Sequence, residues 1–390
     1  MLTKKLLSLF FILLFVNQAV YSQEVALELN VVNEVEGLFQ EKEEALTLEE
    51  LEARVFAEGV DVRIAYERLF QAQKHVANAR AQFFPYGIGS VATIYLFSSF
   101  TGLILVELVT SIPSKFFFLR KQKYLRDAQA YNYKALKGNL RNQVATLYYG
   151  FLKEEALIEM AEMEVELAEK KYEALVEKVE VGLATEEELT DAELEALQIR
   201  STYLRLKSFY VEERRALNIL LGMDFNQEPV ELQPVAPYLT KDMVKKDVVS
   251  LKETAFSNSY EYKAANAIVN AAINDKRSTG WSILSFSGIG FGYMANVRGA
   301  KSRVREAFRN RDLVETTVKN QTYTGHSRLL STIGAFENEM DLYLATQNYT
   351  LGNLASFQAA QLMKDELIES ELIFLKDARD MVRAHYDALI

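Results

Sequence analysis

The chain has 390 residues, 49% of them hydrophobic and 25% charged, so it can bury a large core and is no disordered polymer. A formal net charge of -10 argues against nucleic acid as a partner, because that affinity rests on Lys and Arg neutralising phosphates. Cysteine is absent, which excludes disulfides, thiolate metal sites, a cysteine nucleophile and a lipidated cysteine, while His75, His326 and His385 lie far apart and fit helix-surface or hydrogen-bonded core positions.

Residues 1–22 carry Lys4 and Lys5, an apolar run from Leu6 to Val16, and Val20-Tyr21-Ser22 before Gln23, the pattern of a cleaved secretory signal. The run is roughly half the ~20 residues of a membrane anchor. Residues 23–46 are Glu-rich and aperiodic and read as a mobile leader.

At Thr47 the sequence TLEE, ending on Glu50, is a capping box that opens a helix running to about Gly59. A second helix follows, with Ile64, Leu69, Ala72, Val76, Ala79 and Phe83 at helical spacing up to Pro85. From Tyr86 to Phe118 the composition turns to Gly, Ser, β-branched and aromatic residues, which reads as strand, turn and strand with SSFTG as the turn. The competing reading is a buried or transmembrane helix, since Val91 to Ile112 is mostly apolar.

Arg120 is expected to start a long helix that continues to Gly182, about 90 Å at 1.5 Å per residue. Leu157, Ala161, Val165, Ala168, Tyr172, Leu175 and Val179 recur at alternating steps of four and three, the spacing of a coiled-coil seam. The stripe stops at Gly182, the residue best able to adopt the left-handed conformation past a helix C-terminus. Thr185 then N-caps a new helix with Glu188 returning the bond, and the seam resumes through Leu189, Ala192, Ala196, Ile199, Tyr203, Leu206 and Tyr210 to an arm end near Leu220-Leu221-Gly222. The chain reverses between the two arms.

After a linker at 223–250 an internal repeat emerges. Tyr260 to Ala271 repeats the helix before Pro85, the stretch from Gly280 repeats the β-like hairpin at about 280–296, and Arg298 to Ala307 repeats Arg120 to Ala128. Gly352 stands where Gly182 stood, so a second tip is expected at about 352–356, with Asn353, Leu354 and Ser356. The two units are 47–222 and 251–390.

The opening TLEEL, the sequence Ala72, Val76, Ala79-Arg80 and Pro85, the tip Gly182-Leu183-Ala184-Thr185 followed by Asp191-Ala192-Glu193, and the arm end Leu220-Leu221-Gly222 together resemble the TolC family of outer-membrane efflux and secretion channels. The resemblance covers about Leu46 to Ile390. It implies a mainly α fold of long antiparallel helical hairpins in two repeats, with β-hairpins contributed to a barrel shared by a homotrimer. It further implies tips that meet a periplasmic adaptor protein (membrane fusion protein) serving an inner-membrane pump, with the helical tips at Gly182, Leu183, Ala184, Thr185, Gly352, Asn353, Leu354 and Ser356 as docking positions.

Two further groups bear on function. Glu186, Glu187 and Glu188 read as a carboxylate ring at a channel entrance, or as acids that complement the macrodipole of a first helical turn. Phe116, Phe117 and Phe118 followed by Arg120 and Lys121 read as an aromatic belt with basic residues for outer-membrane lipid headgroups, or as a helix start with solvated cations; Phe291 and Tyr293 before Arg298, Lys301, Arg303 and Arg305 repeat the pattern. The chain lacks a phosphate loop, a zinc-protease motif and a nucleophile elbow, and Gly288-Ile289-Gly290-Phe291-Gly292 lacks the helix a dinucleotide fingerprint requires, so no catalytic residue, cofactor or metal site is expected.

A transmembrane strand takes about 9 to 11 residues, and the roughly twenty from Arg277 to Arg298 are short for a spanning hairpin. The expectation is a passive outer-membrane exit duct of an efflux pump or type I secretion system. The alternative is an exported periplasmic scaffold that keeps the helical barrel with a reduced or absent membrane barrel.

Overall fold

The computed structural model describes residues 30–40, 45–83, 101–221, 231–237, 248–284, 292–359 and 363–390. Among these the chain forms nine α-helices: α1 Asn30–Gly37, α2 Leu48–Glu58, α3 Val60–Ala81, α4 Thr101–Glu180, α5 Glu186–Leu220, α6 Val248–Asn258, α7 Tyr260–Trp281, α8 Tyr293–Gln358 and α9 Lys364–Leu389. The order of an 11-residue helix, a 22-residue helix and two long arms occurs twice, as α2 to α5 and as α6 to α9.

The helix starts follow from local chemistry. The Thr47 N–H donates to the Glu50 carboxylate at 2.9 Å and the Glu50 N–H donates back to Thr47 Oγ1 at 3.4 Å, closing the capping box of α2. At α7 the cap is Ser259, whose Oγ accepts from the Tyr262 N–H at 3.1 Å.

The chain divides into two compact units, and each draws on both repeats. The first takes Met1–Leu51, Val144–Lys245 and Leu329–Ile390; the second takes Glu52–Gln143 and Lys246–Arg328. The first unit has a core of large side chains: Phe151, Leu157 and Met160 from α4, Leu217 from α5, Ile333 from α8, and Leu367, Phe374, Leu375 and Tyr386 from α9, all under 3% exposed. The second is held by small ones, chiefly Val62, Ala72, Val76 and Ala79 of α3 and Ala264, Ala267 and Ala271 of α7, which let helix backbones approach closely. Ile64, counted in the sequence as part of that stripe, is 45% exposed, and Val62 takes the inward place.

In the first unit the segment 231–237 is laid against the core by main-chain groups. Leu46 and Leu232 form a parallel bridge, with Leu46 N–H donating to the Glu231 carbonyl at 2.9 Å and Gln233 N–H to the Leu46 carbonyl at 3.0 Å. The Tyr148 hydroxyl donates to the Gln233 carbonyl at 2.6 Å, and His385 Nε2 sits 3.3 Å from the Val235 carbonyl. Burial holds the His385 imidazole down to about 4, so it packs as a neutral ring against Phe39, Phe336 and Tyr386.

Four expectations are corrected here. Residues 30–37, placed in a mobile leader, form α1, because Val31 and Val35 lie one helical turn apart and bury together, Val35 fully. Residues 101–118, read as the second half of a β-hairpin, are helical, so α4 begins at Thr101 instead of Arg120 and carries Pro113 inside it. A continuous apolar run does not distinguish strand from helix by period, and here packing decides: Ser114 Oγ reaches the Ser278 carbonyl at 3.1 Å while Ser278 Oγ donates to the Ser114 carbonyl at 2.9 Å, locking α4 against α7. The second hairpin fares alike, with Gly280 and Trp281 ending α7, a 3₁₀ turn at Ser282–Leu284, and α8 starting at Tyr293.

The fourth correction concerns the second tip. Helix α8 runs unbroken through Gly352, Asn353, Leu354 and Ser356 to Gln358, and the next helix begins at Lys364. Glycine in a helix interior costs about 1 kcal/mol but does not stop the helix. Thr350, Leu354 and Phe357, at steps of four and three, are all buried, and Leu354 and Phe357 pack with Leu367; this carries α8 past the glycine. The returning carboxylate comes later, where the Met363 N–H donates to Glu366 Oε2 at 3.2 Å.

The expected signal, residues 86–100 and 285–291 of the two hairpins, and Gly222 lie outside the described residues.

Candidate functional site

The turn between α4 and α5 is built almost wholly by its own backbone. Gly182 has φ +76° and is the only described glycine at positive φ. The Leu183 N–H bonds the Lys178 carbonyl at 2.8 Å and the Gly182 N–H bonds the Val179 carbonyl at 3.0 Å, the paired bonds of a Schellman C-cap. The reversal ends at Thr185, whose N–H donates to Glu188 Oε2 at 2.8 Å while its Oγ1 accepts from the Glu188 N–H at 3.2 Å. All of these bonds lie within residues 178–188.

Val181 and Leu183 are 69% and 78% exposed, and a turn that offers two large apolar groups to water is an unusual use of them. Ala184 is half-buried, Glu186 and Glu187 are exposed, and Glu188 is committed to the cap. The arms beneath are fixed by the seam, with Ala161, Ala168, Ala192 and Leu206 buried, and by Lys171 paired to Glu195 at 2.8 Å.

The second reversal lies beside the first. Lys178 Nζ, one turn before the tip, pairs with Asp365 of the first turn of α9 at 2.7 Å. The sequence missed this pairing because it placed the second turn about two helical turns too early.

Below the tip, large apolar side chains of the first unit stand exposed at seven-residue spacing. On α5, Leu197, Leu204 and Val211 recur every seven residues and are 56%, 58% and 39% exposed. On α8, Leu344 and Leu351 do the same at 45% and 41%, with Leu342 and Tyr349 as a second pair seven apart. A seven-residue apolar repeat is what a second helix packs against.

Between α4, α5 and α9 lies a cleft of about 440 Å³ lined by Arg205, Lys376, Arg379, Arg383, Glu164 and Glu195. Glu164 is 4% exposed and meets Arg379 Nη1 at 2.6 Å; burial pushes its carboxyl up against the pull of that guanidinium. Among the described residues no group of three or more His, Asp and Glu side chains is placed to hold a metal ion.

The aromatic and basic residues of α4 lie in the second unit. Phe116 is 44% exposed, stacks edge-on with Phe117 at 5.5 Å, and carries the Arg120 guanidinium 4.9 Å above its ring. Lys121 bonds Asp275 at 2.8 Å, and Arg303 bonds the other Asp275 oxygen at 2.8 Å. Burial pushes the Asp275 carboxyl up, but these two donors outweigh it and hold it below the usual range. No described helix is long and apolar enough to cross a membrane.

Residues 119–223, the greater part of both arms and the tip, match the family model described as outer membrane efflux protein. No curated protein matches the chain. Among solved structures, the outer membrane protein VceC from Vibrio cholerae aligns over 90% of this chain and 94% of its own at 13% identity with a TM-score of 0.65. The CmeC outer membrane channel of Campylobacter jejuni aligns over 87% and 82% at 14% identity with a TM-score of 0.67. The Neisseria gonorrhoeae MtrE outer membrane channel in its open state aligns over 88% and 86% at 13% identity with a TM-score of 0.53. The fold of this chain is that of outer-membrane channels, and the resemblance to the TolC family holds.

Proposed function

We propose that the chain is an outer-membrane exit duct of an efflux pump or type I secretion system, a passive helical tunnel assembled from three copies and docked at its tips by a periplasmic adaptor. The observation that carries this reading is the pair of unpartnered heptad seams on α5 and α8. One chain supplies two long arms in each repeat, too few to enclose a tunnel, and each copy presents an apolar seam on either arm for its neighbours. Docking is assigned to Val181, Gly182, Leu183, Ala184 and Thr185, where apolar side chains stand exposed on a self-sufficient turn. Leu354, at 8% exposure, is a core residue and takes no part.

The test is a short amine crosslinker applied to outer-membrane fractions. The expected product is a trimer band that Leu204→Asp with Leu344→Asp abolishes. Monomer or dimer bands alone overturn the arrangement.

A second reading is favoured by one observation. Only eight residues lie between the 3₁₀ turn that ends at Leu284 and the start of α8 at Tyr293, fewer than the roughly 9 of a single membrane-crossing strand. On this reading the chain keeps the helical tunnel with a reduced membrane portion. Alkaline washing distinguishes the two, since a fully inserted barrel stays with the membrane and a reduced one is released.

A further inference from the structure

The cleft between α4, α5 and α9 lies wholly within the first unit, and a passive duct has no use for it. Its volume of about 440 Å³ falls in the range of small-molecule sites, roughly 300–1,000 Å³. Four cations line it, Arg205 from α5 and Lys376, Arg379 and Arg383 from α9, in a chain whose net charge is -10. Leu372, Lys376, Arg379 and Arg383 follow at steps of four, three and four, and Gln198, Thr202 and Arg205 at four and three, so one face of each helix is turned to the cleft.

The surrounding acids neutralise half of this charge. Glu164 meets Arg379 Nη1 at 2.6 Å and Asp380 meets Arg383 at 2.9 Å, while Glu195 on the cleft wall is taken by Lys171 at 2.8 Å. Arg205 and Lys376 are exposed and close no ion pair with any described residue, although Lys376 lies in the field of Glu164 and Asp377. Arg379 is also incompletely used. Arg303 grips Asp275 with both Nε and Nη2, whereas Arg379 bonds through Nη1 and its buried Nε has no acceptor among the described residues. A buried donor left unmet is costly, and an anionic oxygen is the acceptor that a guanidinium takes best. Beside the charges the wall is apolar, with Ile199 half-buried and Leu372 buried.

Two unneutralised cations and a third with a spare donor suit a ligand that gathers two negative charges and three acceptor oxygens on one group, as a phosphate monoester does near neutral pH. The apolar wall suits a hydrocarbon group attached to it. We infer that this cleft binds a small phosphate monoester of an apolar group, with Arg205, Lys376 and Arg379 on the phosphate oxygens and Ile199 and Leu372 against the apolar body. On α5, Gln198 and Thr202 are turned about 100° and 160° from Leu197 and Leu204, so the cleft and the seam assigned to a neighbouring copy are different faces of the helix.

The experiment is calorimetric titration of the purified full chain with phenyl phosphate, inorganic phosphate and phenol in low salt. One phenyl phosphate per chain is expected, held more tightly than inorganic phosphate, with no binding of phenol. Arg205→Gln and Lys376→Gln each remove one charge-assisted hydrogen bond and should weaken phenyl phosphate about tenfold. Arg200→Gln, an exposed cation of α5 outside the cleft, should leave the affinity unchanged. All three positions are exposed, and circular dichroism checks that each variant folds as the parent does. Absence of binding to the parent chain, unchanged affinity in both cleft variants, or equal weakening by Arg200→Gln overturns the site; inorganic phosphate bound as tightly as phenyl phosphate overturns the role of the apolar wall. Crosslinking to a trimer, measured on the same samples, reports on the duct reading separately, so failure of either leaves the other standing.

Discussion

Two glycines that the sequence treats as equivalent should respond in opposite directions to the same substitution. Gly182 has φ +76°, and an added Cβ there meets no atom within 4 Å, so Gly182→Ala carries the backbone cost alone, about 1–2 kcal/mol. Gly352 lies inside α8, where an added Cβ also meets nothing within 4 Å, so Gly352→Ala gains the helix propensity difference of about 0.8–1.0 kcal/mol. Hydrogen exchange reads both locally, because under conditions of fast reclosing the rate follows the opening equilibrium. Amides from Lys178 to Glu188 should exchange about 5- to 30-fold faster in Gly182→Ala. Amides from Leu351 to Phe357 should exchange about fourfold slower in Gly352→Ala. A shift of the same sign at both sites would restore the equivalence of the two glycines and refute the placement of the second reversal beyond Gln358.

Thr185→Ala removes the acceptor of the tip's capping box and should cost about 1 kcal/mol, seen as faster exchange of the Glu188 amide with arms further down unaffected. Arg379→Met leaves Glu164 buried without its partner and should lower stability at neutral pH by about 3–5 kcal/mol; adding Glu164→Leu should recover most of the loss in thermal melts, and failure to recover it would mean that Arg379 acts elsewhere. Glu213 has its carboxyl pushed up by burial first and by Glu154 second. Its folded pKa thus exceeds its unfolded one, so its contribution is present at low pH and lost as pH rises through the raised value. Glu213→Gln should therefore raise the melting temperature near pH 7.5 and change it little near pH 4; a pH-independent effect would contradict the assignment.

The parts of the fold most legible in the sequence were those fixed by local chemistry. The Thr47 and Thr185 capping boxes and the left-handed Gly182 each depend on residues within a turn of one another, and all three stand where the sequence placed them. The seam through Leu157, Ala161 and Ala168 was legible because its repeat persists over many turns. What failed depended on tertiary context. Residues 101–118 combine strand-forming composition with a proline, yet they are helical, and Ser114 among them bonds Ser278, 164 positions away. Gly352 copies the position of Gly182 in the repeat but lacks a Thr185 three residues on, and a glycine without that second signal is only a weak point in a helix. Of the site, the turn itself was read correctly; the exposed Val181, the outer seams of α5 and α8, and the pairing of Lys178 with Asp365 required the structure.

Passage of substrate through the tips tests the exit duct most directly. The cysteine-free chain allows Leu183→Cys to be placed at the most exposed apolar position of the turn, where oxidative crosslinking between copies fixes the tips. Release of a preloaded fluorescent amphiphile would be followed in cells lacking the chain, carrying it, or carrying this variant with and without a reductant. The expected result is release that needs the chain, stops when the variant is oxidised and resumes on reduction. Release at the same rate in all four conditions would contradict the duct.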